Sequence, residues 1–459
     1  MLFNSINFLI FFTLTFLIYW RLSPNLKKPF LLLASLGFYA AWDWRFILLI
    51  LLSSGTDYLC GKFIFAESEP RKKVKWILIS LIVNLGILGF FKYFNFFLDS
   101  VHRVFPSLPL PILNIILPIG ISFFTFQGLS YTIDIYRNEL KPAKALDYFL
   151  FVAFFPQLLS GPIVRAKDFL PQLFNLEKFN WENVFEAALL FARGFGKKVF
   201  LSTVLANYCD PIFSNPSQYS ALECLLGAYA FAFQIFFDFS GYTDMARGTA
   251  LALGYKLPEN FHFPYLATSP RDFWKRWHIT LSTWLRDYLY KSLGGDRSGK
   301  MRTYQNLFLT MALGGLWHGA NWTFFIWGCF HGLLLIIERW INPKKLYGLK
   351  NPFVQIIPAF ITFNLICIGW IFFRSSDFKH AIAYLKTIIS YSTNHSSSLV
   401  LIIVSICSLY FWQFFNQYFH KNYQGSKIYE LIKIGMISAG VVLAFIFSTS
   451  NSPFIYFQF

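Results

Sequence analysis

The sequence predicts an all-α integral membrane protein, on three observations. Hydrophobic residues make up 56% of the 459 and charged residues only 14%, with a mean hydropathy of +0.47, whereas soluble domains carry about a quarter charged residues. Apolar runs long enough for a helical crossing, about 20 residues each, recur from end to end, roughly eleven of them. Aromatic residues reach 21%, with 58 phenylalanines, enough for thick interfacial belts and an aromatic-lined interior.

A net charge of +17 would fit a nucleic-acid binder, but no basic run is interleaved with polar surface and no nucleic-acid motif is present. A positive cytoplasmic face accounts for the charge. The six cysteines are scattered and form no C-x-x-C pair, so neither a metal site nor a disulfide framework is indicated. No repeat of fixed period divides the chain, and residues 1–459 read as one polytopic domain.

The N-terminus lacks a basic n-region and a cleavage site, so the first helix, Ile6 to Trp20, reads as retained. Arg21, Lys27 and Lys28 follow it, and two crossings later come Arg71, Lys72, Lys73 and Lys75. Both basic segments belong in the cytoplasm, which places Met1 outside. Pro106, Pro109 and Pro111 then break the helical pattern. Two further loosened stretches follow: Leu117-Pro118-Ile119-Gly120-Ile121-Ser122 and Phe155-Pro156-Gln157 with Ser160-Gly161-Pro162. Irregular backbone at membrane depth is tolerated only inside protein or along a cavity, so these point to an internal chamber.

A helical region covers Trp181 to Leu205. The next apolar run, Leu225 to Phe239, is interrupted by Gln234 and Asp238, and Asp244 follows. These groups could bind a substrate hydroxyl or a cation; helix capping, or pairing with Arg247, is the commoner use of such acids. From Pro270 to Lys291, Phe273, Trp277, Leu281, Trp284 and Tyr288 form one helical stripe, the pattern of a helix in the headgroup plane. His278 sits at its margin.

The sharpest stretch is Gly314-Gly315-Leu316-Trp317-His318-Gly319-Ala320-Asn321-Trp322, inside the apolar run from Leu307 to Ile337. An ionisable group at membrane depth is by default a functional-site hypothesis. Gly315 and Gly319, four apart, allow close backbone approach. Trp317 and Trp322 supply walls, and Asn321 supplies an amide that could orient the imidazole. The plain alternative is a packed glycine seam whose histidine bonds a neighbouring helix. His331, with no glycine seam of its own, reads as structural. Further crossings are expected near Phe353 to Phe373, Leu399 to Phe415 and Ile428 to Phe447. The loop from His420 to Lys427 would be cytoplasmic and the aromatic tail, residues 448–459, outside.

Five stretches in unchanged order resemble the membrane-bound O-acyltransferase family, in its bacterial alginate O-acetylation branch. They are Leu117-Pro118-Ile119-Gly120-Ile121-Ser122-Phe123; Phe155-Pro156-Gln157 with Ser160-Gly161-Pro162; Phe237-Asp238-Phe239-Ser240-Gly241-Tyr242; Arg271-Asp272-Phe273-Trp274-Lys275-Arg276-Trp277-His278; and Leu316-Trp317-His318-Gly319. They span a core of about residues 90–339. The resemblance implies a ring of helices around a thinned centre, with a funnel or tunnel meeting His318 as the catalytic residue and His278 as a second polar site. It implies a bacterial inner-membrane protein that draws on a cytoplasmic acyl-CoA, acetyl-CoA first, or another acyl-carrier donor, with no bound cofactor and no metal. An SGNH-type extracytoplasmic partner would finish transfer to a cell-envelope polysaccharide.

Imidazole, with an ordinary pKa of about 6.5, can take a hydroxyl proton near neutral pH. His318 is assigned that role; His278, Asn321, Trp317, Asp238 and Gln234 are candidates for holding substrate. Tyr456 in the tail is either an interfacial anchor or, by similarity to a motif of the related teichoic-acid system, an acyl way-station. An acyltransferase for lipid, protein or teichoic acid shares every motif. A transporter or flippase is the reading from another class, opposed by the lack of two matching half-repeats.

Overall fold

The computed structural model describes residues 1–111, 113–341 and 352–390, with a few isolated positions between 434 and 442. The expected last two crossings and the Tyr456 tail lie outside the described residues. Among the described residues all regular structure is helical. Five helices are long and apolar enough to cross a membrane: Arg45–Ala66, Pro70–Val104, Ala221–Ala252, Trp322–Ile341 and Gln355–Arg374; Ile6–Arg21 is apolar but shorter. The apolar run around residues 145–158 is instead divided into short buried helices. Ile6 is 75% exposed and Leu33 and Ile82 are each 69% exposed, as side chains facing lipid would be.

The chain separates into two compact units, Met1–Phe191 with Tyr242–Pro258, and Ala192–Gly241 with Glu259–Phe459. The first begins with α1 (Ile6–Arg21), α2 (Pro24–Asp43), α3 (Arg45–Ala66) and α4 (Pro70–Leu88), and continues through α5 (Phe94–Val104), α6 (Ile121–Tyr136) and α7 (Ala145–Ala153). Pro24 and Pro70 stand in the first helical turn, where a missing N–H costs nothing and the fixed φ suits the helix. Lys27 and Lys28, expected in a loop after α1, lie in the first turns of α2. Lys27 lies over the rings of Tyr19 and Trp20, 4.7 and 4.3 Å from their centroids, and Lys28 pairs with Asp147 of α7 at 2.8 Å.

Within this unit a polar stripe ties α3, α4 and α6 together. Asp57 Oδ1 accepts from Ser80 Oγ at 2.6 Å and from Asn84 Nδ2 at 2.7 Å; Ser53 Oγ donates to Asn84 Oδ1 at 2.6 Å. Asp57 Oδ2 presses on α6 so closely that a Cβ on Gly128 would lie 2.1 Å from it. Gly128→Ala must therefore push the carboxyl out of its hydrogen bonds. A loss of about 1–3 kcal/mol is expected, read as a lowered unfolding temperature in detergent; an unchanged temperature would show that the stripe does not hold these helices.

The two loosened stretches meet each other. Gly120 adopts φ +80° before α6, and a Cβ there would lie 2.5 Å from the Leu158 carbonyl oxygen of α8 (Phe155–Leu158). Left-handed backbone and close approach both require glycine. After α9 (Ala166–Phe174) and α10 (Trp181–Phe195), the expected continuous helix to Leu205 is interrupted by a π-helical segment, Gly196–Leu201, before α11 (Ser202–Ser214). The long α12 (Ala221–Ala252) carries the chain from the second unit into the first.

The second unit holds an aromatic core that includes Phe233, Tyr265, Phe273, Trp277, Trp327 and Trp370. The segment expected to be one interfacial helix is corrected here. It consists of α13 (Pro270–Arg276), α14 (Ile279–Trp284) and a π-helical segment, Leu285–Tyr290, broken at His278, whose φ is +42°. Its stripe residues are buried in protein rather than laid on headgroups. The apolar side chains found core partners, which a stripe read by spacing alone cannot distinguish from lipid. Next come α15 (Lys300–His318) and α16 (Trp322–Ile341), then α17 (Pro352–Arg374) and α18 (Phe378–Ile389). α15 and α16 touch backbone to backbone: a Cβ on Gly315 would lie 2.3 Å from Phe324 O, and one on Gly328 2.3 Å from Met311 O. The glycine seam thus pairs Gly315 with Gly328, while Gly319 ends α15 and lies under the ring of Phe324.

Candidate active site

His318 is the last residue of α15, and His278 immediately precedes α14, with Trp277 between it and α13. Forty residues apart in sequence, their ring centroids lie 6.4 Å apart. Both are buried, at 4% and 0% exposure. The seam is what brings His318 there: backbone contact across α15 and α16, with three residues between the helices, holds the end of α15 against Trp327 of α16.

Three aromatic rings meet the His318 imidazole edge-on: Trp317 at 5.1 Å, Trp327 at 5.0 Å and Phe373 at 5.4 Å. His278 meets Phe239 edge-on at 4.7 Å and Trp317 at 6.0 Å. Trp317 therefore lies beside both imidazoles, and fixed aromatic edges leave the rings little freedom to turn. His331, read from sequence as structural, packs on the other edge of Trp327 at 4.8 Å.

The backbone around His278 is held by a segment that the sequence reading passed over. Asn260 O accepts from Ile279 N at 3.0 Å, and Arg276 O accepts from His262 N at 2.9 Å. The Asn260 side chain, 1% exposed, accepts at Oδ1 from Thr280 N at 3.2 Å and Thr280 Oγ at 2.7 Å, and His278 Nδ1 lies 3.3 Å from the same oxygen. Nothing in the Pro258-Glu259-Asn260 string marks it, because its role depends on a contact eighteen residues away. Burial pushes the His278 pKa down to about 3, since the low-dielectric surround disfavours imidazolium. Its ring is thus neutral through the physiological range.

The remaining candidates divide. Trp317 stands in the site. Asn321 does not reach toward the imidazoles: its Oδ1 accepts from Thr323 N at 3.0 Å, capping α16, and its amide donates to Ser376 O at 2.9 Å. A polar residue just before a helix is claimed first by the free N–H groups of that helix. Asp238 forms a short buried ion pair with Lys198, and Gln234 Oε1 accepts from Cys209 Sγ at 3.1 Å. The contribution of α12 to the histidine pair is Phe239, next to Asp238. Asp244 takes the commoner course, pairing with Arg247 at 3.7 Å.

The arrangement offers one neutral imidazole with a fixed backbone and a second 6.4 Å away in an aromatic frame. That suits proton transfer from a weakly acidic group held between them. Residues 65–376 match the family described as MBOAT, membrane-bound O-acyltransferase family. A Pseudomonas putida protein described as "Probable alginate O-acetylase AlgI" is 38% identical over the whole of both chains. A Pseudomonas aeruginosa protein of the same description is 42% identical over 87% of this chain and 77% of its own. The "Peptidoglycan O-acetyltransferase" of Helicobacter pylori is 34% identical over 100% of this chain and 98% of its own.

Proposed function

Because the chain belongs to the membrane-bound O-acyltransferase family, and is therefore a multi-pass membrane acyltransferase, we propose that it draws an acetyl group from a cytoplasmic thioester and passes it toward hydroxyls of a cell-envelope or secreted polysaccharide. The relatives support the acetyl group and the glycan: those matched over 82% or more of this chain carry acetylase or acetyltransferase descriptions, while a "Teichoic acid D-alanyltransferase" from Bacillus subtilis aligns with 58% of it. The donor is acetyl-CoA or an acyl-carrier thioester, and an SGNH-type protein outside the membrane completes the transfer. The basic segment from Arg71 to Lys75 faces the cytoplasm of a bacterial inner membrane, with both termini outside.

The observation that carries the reading is the buried imidazole pair. A thioester is already activated, so catalysis requires a hydroxyl to lose its proton while two substrates are held together. His318 takes that proton as the hydroxyl oxygen bonds to the acyl carbon. The carbon–sulfur bond then breaks, and the leaving thiolate recovers the proton from His318. His278, uncharged, accepts a hydrogen bond from a neighbouring hydroxyl of the acceptor and so aligns the reacting one.

Purified protein in liposomes, given radiolabelled acetyl-CoA, should release free coenzyme A. Label should pass to an external glycan at full rate only when the extracytoplasmic partner is added. Full-rate labelling of polymer without a partner would remove the partner from the scheme. Labelling of lipid alone would remove the glycan.

A further inference from the structure

The hydrogen bonds around Asn260 fix a proton. A backbone N–H can only donate, so the Asn260 side-chain atom facing Thr280 N at 3.2 Å must be the carbonyl oxygen and not the amide nitrogen. The Thr280 hydroxyl donates to that oxygen too, at 2.7 Å. The same Oδ1 faces His278 Nδ1 at 3.3 Å. A carbonyl has no proton to give, so the hydrogen in that contact belongs to Nδ1. With the ring neutral, Nε2 then carries the lone pair. Nε2 is buried and has no hydrogen-bond partner among the described residues.

We propose that Asn260 is a positioning residue for acyl transfer: it locks His278 in the Nδ1–H tautomer and so makes Nε2 a fixed acceptor beside His318. The backbone cooperates. His278 is one of three described non-glycine residues with positive φ, an uncommon conformation for a residue with a Cβ. Hydrogen bonds on both sides of it, Ile279 N to Asn260 O and His262 N to Arg276 O, hold the turn. Asn260 therefore sets where the ring stands and which nitrogen can receive a hydrogen bond. The two imidazoles divide the work. His278 accepts a hydrogen bond from a neighbouring, unreacting hydroxyl of the acceptor without becoming charged, and His318 removes the proton of the reacting one. The catalytic half of this assignment rests on the proposed role of His318; the tautomer does not.

The test separates the two. In protein labelled with 15N-histidine, the His278 resonances, assigned by their loss in His278→Gln, should show a protonated Nδ1 and a bare Nε2. A protonated Nε2 in the unmodified protein would overturn the proposal whatever the activity. Asn260→Asp keeps the acceptor and should keep the tautomer. Its carboxylate raises the basicity of the imidazole, which then protonates as pH falls through the raised value and loses its acceptor lone pair. Transfer by Asn260→Asp should accordingly begin to fall at higher pH than transfer by the unmodified protein, whose rate falls only as His318 itself protonates. A pH profile coincident with that of the unmodified protein would reduce Asn260 to a backbone clamp and overturn the proposal. Asn260→Leu cannot accept and should lose about tenfold or more in rate, whereas Thr280→Val, which removes only the competing hydroxyl, should stay within about twofold. If His318 were not the base, His318→Ala would be active while the 15N result stood.

Discussion

His318→Ala is expected to lower acyl transfer by about 10²- to 10⁴-fold, the usual contribution of a general acid–base group, and to leave the protein folded in the membrane. The folding half of this expectation comes from where the side chain sits. His318 ends α15, and its ring meets Trp317, Trp327 and Phe373 by their edges. These aromatic residues retain their own core contacts, among them Trp327 with Trp370 at 5.7 Å and Phe373 with Phe324 at 4.8 Å. His318→Gln, closer in volume and still polar, should be as inactive as the alanine variant, because an amide cannot take the proton. Coenzyme A release in the liposome assay measures the loss, and size-exclusion chromatography in detergent checks the fold. A folded alanine variant with near-normal rate would remove His318 from the mechanism.

Gly328→Val should be more damaging to the protein as a whole. A Cβ at that position lies 2.3 Å from Met311 O and 3.0 Å from Gly315 Cα, so α15 and α16 must part before any β-branched side chain can be placed. Backbone cannot rotate away as a side chain can, and the cost is expected at about 3 kcal/mol or more. Gly332 provides the internal comparison: its nearest atom to an added Cβ is 3.1 Å away, at Phe308 Cα, so Gly332→Ala should cost much less. Because the seam also sets the end of α15, Gly328→Val should lose transfer even in the fraction that remains folded. The measurements are yield after detergent extraction, unfolding temperature and activity per folded molecule. Equal behaviour of Gly328→Val and Gly332→Ala would show that the seam has room that the distances deny.

The sequence carried the fold class and drew attention to His318 because both depend on rules that act locally. A chain whose apolar runs reach about 20 residues crosses lipid as helices, since only a helix satisfies each backbone N–H and C=O within its own segment. A histidine among glycines and tryptophans in an apolar run is conspicuous for the same reason. Gly120, Pro156 and Gly161 were legible as interruptions by their chemistry. What spacing alone could not decide was the partner of each group. The stripe from Phe273 to Tyr288 follows helical spacing whether it faces lipid or protein, and only the position of the aromatic core shows that it faces protein.

Asn321 illustrates the limit from the other side. Three residues from His318 it looked like an orienting amide, yet the free N–H groups at the start of α16 claim its oxygen. Asn260, unmarked in sequence, holds the ring of His278. By itself the sequence determined a helical membrane protein with a histidine among glycines in an apolar run, and its motifs carried the resemblance to an acyltransferase family. The tertiary structure decided that His278 stands 6.4 Å from His318, and that the Asn260 side-chain oxygen lies 3.3 Å from its Nδ1. Hydrophobic burial is a property of each residue type and is written along the chain. A hydrogen bond exists only where folding has brought its donor and acceptor together.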